Sequence, residues 1–219
     1  MKKTEMQGIY REKRQIFTEN LKSSKGFKVY NEKIVKQNNK EYRSWNPYRS
    51  KLASAILNGL EINIRKNFKV LYLGAATGTT VSHISDIIED GTVYAVEMSP
   101  IAMKKLLEVS KKRKNIIPIL ANANHPDKYC NIVPHVDFVY QDISQKNQAD
   151  IFISNISKYL KRDGYGILMV KARSIDVSLK PKDVYDHVCS KIIESGLKVL
   201  NIVNLNPFEK DHAAIFVEF

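Results

Sequence analysis

Five predominantly apolar runs, at 69–73, 92–96, 116–121, 136–141 and 165–170, alternate with helical patterns at about 79–88, 100–113, 148–160 and 181–195. Short runs without polar alternation fit strands buried on both faces, as in a parallel sheet covered by helices. The tail breaks the alternation. Lys198–Leu205 and Ala213–Glu218 read as two more strands, with only residues 206–212 between them. So short a connection permits an antiparallel pair but not a parallel crossover. The expected fold is α/β: a Rossmann-like, doubly wound sheet of about seven strands with an antiparallel last strand.

The N-terminal part reads differently. Gly8-Ile9-Tyr10, Gly26-Phe27-Lys28-Val29-Tyr30 and Glu41-Tyr42-Arg43 suggest short antiparallel strands with no long apolar stripe, so residues 1–48 form a small β subdomain that leans on a main domain at 49–219. Ser50 is a plausible N-cap for a helix carrying Leu52, Ile56, Leu57 and Leu60. Charge follows the same division. Residues 1–66 hold 16 basic and six acidic side chains, so most of the net +12 lies in the first third of the chain. A concentrated positive field suits a polyanion, nucleic acid above all, although a solvated face would look the same. No apolar run approaches the ~20 residues that span a bilayer, the start lacks a signal-peptide core, and two cysteines do not make a disulfide framework. A cytoplasmic protein without a membrane partner is expected.

The first strand of the main domain runs into a turn of small residues, Val70-Leu71-Tyr72-Leu73-Gly74-Ala75-Ala76-Thr77-Gly78-Thr79-Thr80. Ligands of open α/β sheets sit outside the carboxyl ends of the strands, where strand order reverses. Small residues followed by a helix N-terminus let backbone N–H groups approach a ligand closely. Glu97 ends the next strand, where an acid can take ribose hydroxyls. The G-x-A-x-G spacing lacks the dinucleotide fingerprint, and the antiparallel last strand is characteristic of S-adenosylmethionine-dependent methyltransferases. A dinucleotide enzyme and an empty tight turn are the rival readings. Topology also brings polar residues to this edge: Asp142 and Lys171 close the fourth and fifth strands, His212 opens the antiparallel one, and Lys51 opens the preceding helix. Taken singly, Lys51 could face solvent, Asp142 could cap a helix and His212 could simply end a strand.

Seven segments together resemble the fibrillarin family: WNPYRSKL (45–52), VLYLGAATGTTVSH (70–83), TVYAVEMS (92–99), NANHPDKY (122–129), DFVYQDISQKNQ (137–148), MVKARSID (169–176) and PFEKDHA (207–213). The resemblance implies a box C/D ribonucleoprotein subunit that methylates ribose 2′-hydroxyls of ribosomal and transfer RNA with S-adenosyl-L-methionine. Its partners would be a guide RNA, a Nop-family scaffold and a kink-turn-binding ribosomal-type protein. The family's glycine-arginine-rich extension is missing, as in archaeal members. A catalytic tetrad of Lys51, Asp142, Lys171 and His212 is implied. The implied cofactor site is Gly74, Ala76, Thr77, Gly78, Thr79, Thr80, Glu97, Met98, Asn122, Ala123, Asp142 and Gln145. Asn122 stands where the family usually has Asp, and an amide accepts from an adenine amino group only through its oxygen. A non-catalytic structural subunit is the alternative from another class.

Lys171 is the candidate base for the ribose hydroxyl. A lysine near pKa 10.4 is charged at pH 7, and its pKa has to fall by about 3 (~4 kcal/mol) to serve. Burial, Lys51 and a cationic cofactor push it down, and Asp142 pushes it up. Asp142 would orient the lysine or the methyl donor, while Lys51 and His212 would hold the ribose and its phosphate. The histidines and cysteines have no metal-ligand spacing, so no metal is expected. Lys111–Lys114 ends a helix, where basic residues suit the dipole and RNA contact is equally open. Trp45 is read as subdomain packing.

Overall fold

The computed structural model describes residues 1–219. Its strands are β1 (Lys2–Lys3), β2 (Ile9–Glu12), β3 (Gln15–Glu19), β4 (Ile34–Gln37), β5 (Lys40–Trp45), β6 (Lys69–Leu73), β7 (Thr92–Glu97), β8 (Ile116–Leu120), β9 (Val136–Gln141), β10 (Leu160–Lys171), β11 (Lys198–Asn204) and β12 (His212–Glu218). The helices are α1 (Lys51–Leu57), α2 (Thr79–Ile87), α3 (Pro100–Lys112), α4 (Gln148–Tyr159), α5 (Ala172–Ile175) and α6 (Pro181–Glu194). Two sheets result, a five-stranded one in the order β1-β2-β3-β5-β4 and a seven-stranded one in the order β11-β12-β10-β9-β6-β7-β8. Strands β6 to β10 pair in parallel, and β12 is antiparallel to both β10 and β11. Strand order reverses between β6 and β9.

Both faces of the large sheet are dry, for the reason the apolar runs suggest. Successive side chains of a strand point to opposite faces. Val70 and Tyr72 therefore join a core that also takes Ile9, Ile16 and Trp45 from the small sheet, with α1, α2 and α3. Leu71 and Leu73 join the other, filled by Phe152 and Ile156 of α4 and Val188 and Ile192 of α6. Each such side chain contributes ~1.5–3 kcal/mol when fully buried.

The N-terminal strands depart from expectation in more than one place. Residues 26–30 form no strand, because carboxylates take their backbone donors: Gly26 N–H donates to Glu41 at 2.7 Å, and Tyr30 N–H to Glu32 at 2.9 Å. Gln15–Glu19 and Ile34–Gln37 also form strands, outside the expected stretches. The helix after Ser50 ends at Leu57, and Leu60 lies past it beyond Gly59, whose φ is +99°.

The small sheet is joined to α2 by buried charge. Arg43 donates to Glu32 at 2.7 Å, to Asp86 at 2.7 Å and to Ser82 Oγ at 2.8 Å. Arg113, just past α3, meets the other oxygen of Asp86 and donates to Asn20 at 2.8 Å. Arg113 is fully buried, so within the basic run 111–114 this residue makes an internal ion pair and no RNA contact. His83 lies in the same cluster, stacked on Trp45 with centroids 4.8 Å apart. Burial, then the two arginines, hold it well below the usual histidine range, so it is neutral.

Candidate active site

The glycine turn leaves β6 at the reversal point. Gly74 and Ala75 N–H both donate to the Val96 carbonyl, at 2.9 and 3.0 Å, fastening the turn to β7. Gly74 has φ +83°, and a Cβ there would stand 2.4 Å from the Asp142 carbonyl oxygen. The space a side chain at Gly74 would need is thus taken by the Asp142 backbone. The consequence is functional: only glycine lets Asp142 lie directly against the turn. Gly78 (φ +92°) is the N-cap of α2 and supplies no side chain, so the first N–H groups of that helix face the crevice uncapped. Thr77, Thr79 and Thr80 frame this end, and Ala76 takes φ +47°.

Glu97 closes β7 with its carboxylate over the turn. One oxygen accepts from Ala76 N–H at 2.8 Å and the other from Ser99 N–H at 2.7 Å. A carboxylate has about four acceptor sites, so Glu97 keeps capacity for two hydroxyls. Farther along the rim an amide network gathers. Asn122 Oδ1 accepts from the backbone and side-chain nitrogens of Asn124, both at 3.0 Å. Asn124 donates on to Gln145 at 2.7 Å and accepts from Asn147 at 2.7 Å, while Gln145 reaches the Met98 sulfur at 3.7 Å. Ala123 is buried beside it, its carbonyl held by Asn155 at 3.0 Å.

Three of the four expected catalytic residues meet. Asp142 Oδ2 accepts from Lys51 Nζ at 3.1 Å, and Asp142 Oδ1 faces Lys171 Nζ at 3.5 Å. The second distance is an ion pair too long for a good hydrogen bond, and Oδ1 is buried with no hydrogen-bond partner. That oxygen is a buried acceptor whose nearest cation is the Lys171 ammonium. Burial lowers Lys171 below the usual lysine range; Asp142 opposes this and Lys51 reinforces it. His212 pairs with Lys171 across the β10–β12 ladder, and opposed residues share a face. Its Nδ1 lies 2.6 Å from the Lys210 carbonyl, which can only accept, so Nδ1 carries the proton and Nε2 is the free acceptor when the ring is neutral.

Several participants had no distinguishing signal in the sequence. Ser144 Oγ contacts Lys171 Nζ. Thr80 Oγ1 donates to Ser50 Oγ at 2.9 Å, tying the turn's helix to the cap beneath Lys51. Gln148 hydrogen-bonds the backbone of Lys171. The spacing of Ser50 suggested a cap, but nothing linear marks its second bond.

A central glycine turn, an acid closing the next strand and one reversed strand beside the fifth define the Rossmann-like methyltransferase fold. Within it, the fibrillarin family model matches residues 1–219. The chain belongs to the fibrillarin family. A fibrillarin-like rRNA/tRNA 2′-O-methyltransferase of Methanothermobacter thermautotrophicus is 46% identical over 214 residues, 97% of this chain and 95% of that one. Among solved structures, Aeropyrum pernix fibrillarin with natively bound S-adenosyl-L-methionine is 41% identical with a TM-score of 0.88, covering 99% of this chain and 96% of that one. A fibrillarin/Nop5p complex is 42% identical with a TM-score of 0.90, covering 99% of each chain.

Proposed function

We propose that this chain is the catalytic subunit of a guide-directed ribonucleoprotein, transferring methyl groups from S-adenosyl-L-methionine to ribose 2′-hydroxyls of ribosomal and transfer RNA. The observation that carries the reading is the Lys51–Asp142–Lys171 series beside the glycine turn, in a family whose relatives bear that activity in their names. When bound, the cofactor supplies a methyl group already activated by its sulfonium charge. The protein's share is therefore alignment of the acceptor and removal of its proton.

The residues at hand suit the cofactor. The uncapped start of α2 offers N–H groups to a carboxylate, Glu97 offers acceptors to ribose hydroxyls, and the Asn122–Asn124–Gln145 network offers neutral amides to an adenine edge. Lys171, lowered by burial, takes the 2′-hydroxyl proton. Asp142 holds Lys171 and Lys51 at fixed places, and Lys51 with His212 Nε2 lies where the ribose and its phosphate would be gripped. His212 can accept a hydrogen bond from a sugar hydroxyl because Lys210 has settled its tautomer.

The partners are those the family implies, and a solved fibrillarin/Nop5p complex supports the scaffold among them. No base-reading element stands at the rim, and a basic N-terminal third grips phosphates regardless of sequence. Target choice falls to a guide RNA, held with a Nop-family scaffold and a kink-turn-binding protein, in the cytoplasm. The test is reconstitution of the chain with those components and tritiated cofactor, followed by mapping of labelled riboses. Label only at guide-paired positions is expected. No transfer from a correctly assembled particle would overturn the reading.

A further inference from the structure

Strand β10 outruns its parallel neighbour. Its pairing with β9 stops at Leu168 opposite Gln141, while its pairing with β12 continues through Met169 and Val170 to Lys171. The last turn of β10 thus has no strand on one side, at the residue whose placement matters most. The vacant side is filled by one side chain. Gln148, the first residue of α4 and fully buried, accepts the Lys171 N–H through Oε1 at 3.0 Å. Its Nε2 donates to the Lys171 carbonyl at 3.4 Å and to the Gln145 carbonyl at 2.9 Å. Its own carbonyl accepts from Gln141 Nε2 at 2.6 Å.

A primary amide presents one acceptor and two donors. Gln148 therefore does for Lys171 what the peptide groups of a neighbouring strand would do, accepting its N–H at 3.0 Å and, more weakly at 3.4 Å, donating to its C=O. Its second donor holds the loop carrying Gln145, at the amide end of the cofactor crevice. We infer that Gln148 is a positioning residue for methyl transfer, a side-chain substitute for the missing strand that fixes Lys171 relative to the Asp142–Gln145 loop. It touches no reacting atom. Its effect runs through the backbone of Lys171, and the inference rests on the reading of Lys171 as the proton acceptor.

Chemistry separates this role from simple space-filling. Gln148→Met keeps the volume and removes all three side-chain bonds. Gln148→Glu keeps the acceptor for the Lys171 N–H, loses the donors, and adds a negative charge near the lysine. Backbone amide exchange of Lys171, followed by NMR in the free protein, is a readout independent of activity. Exchange of Lys171 should quicken by ~10-fold or more in Gln148→Met and stay slow in Gln148→Glu, in which the acceptor survives. In the reconstituted particle both variants should lose kcat with little change in KM for RNA, by roughly 100-fold for a misplaced reacting group.

Melting and cofactor binding of each variant report whether the fold persists. If Gln148→Met does not fold, the kcat and KM of Gln148→Glu still decide, since that variant has lost the amide donors. Wild-type protection at Lys171 and wild-type kcat in Gln148→Met, or wild-type kcat in Gln148→Glu, would overturn the inference. Should the wild-type particle transfer no methyl group, the activity reading falls, while the exchange pattern still decides whether Gln148 holds Lys171.

Discussion

Lys171 stands between a carboxylate that favours its proton and an environment that removes it. Burial is the larger influence, and Lys51 adds to it against Asp142, so the amine lies below the ordinary lysine range. A base works only when unprotonated, so methyl transfer should rise with pH on the acidic side of that lowered pKa and level off above it. Lys171→Ala should leave cofactor affinity nearly unchanged by calorimetry and reduce transfer by at least the ~10²–10⁴-fold typical of a general base. Substantial turnover would remove Lys171 from that role. Asn122 makes a second case. Both lone pairs of its amide oxygen are occupied by Asn124, so the group it can still offer is a donor, which mismatches an adenine amino group. Asn122→Asp adds a second acceptor oxygen while keeping the turn. Cofactor binding should tighten by about 5–10-fold, near the low end for a hydrogen bond to a charged group. Titration showing equal or weaker binding would place the adenine elsewhere.

Helix α2 joins the two functions of the chain because its two ends serve different partners. Its start receives the glycine turn, and its last turn presents Asp86 to Arg43 of the small sheet and Arg113 after α3. All three side chains are fully buried, so removing one leaves an uncompensated charge. Arg43→Met should cost ~3–5 kcal/mol in chemical denaturation, whereas breaking an exposed, solvent-screened pair such as Lys66–Asp90 should cost far less. Near-equal effects of the two would mean that the cluster does not dock the sheet. This cluster also shows the limit of linear reading. Helices α2, α3, α4 and α6 follow from their apolar periods, but Arg43, Asp86 and Arg113 are far apart in sequence and individually resemble surface charges. Residues 26–30 alternate as a strand does, yet the carboxylates of Glu32 and Glu41 take backbone donors that a ladder would need.

At the scale of the molecule, the positive excess belongs to the first 66 residues and the chemistry to the rim of the large sheet. Phosphate contacts hold RNA without choosing a site. The isolated chain should therefore bind RNA with a steep loss of affinity as salt rises, and methylate little or none of it. Adding scaffold and guide should restore transfer to one ribose per guide duplex. Efficient, site-specific transfer by the chain alone, measured by the same tritium assay, would contradict this division of labour.

Local patterns carry the architecture here because strand and helix periods, glycine placement and connection length are properties of neighbouring residues. The buried runs, the short link before β12 and the turn at Gly74–Gly78 determined the seven-stranded sheet and the edge where a ligand belongs. They also determined that Asp142, Lys171 and His212 come to that edge, since topology alone takes strand ends there. What only the tertiary structure decided is which atoms meet. Lys51 is hydrogen-bonded to Asp142, Gly74 makes room for the Asp142 backbone, and Gln148 replaces a strand beside Lys171. Those relations depend on distances of a few ångströms between segments up to 91 residues apart, which no local period encodes.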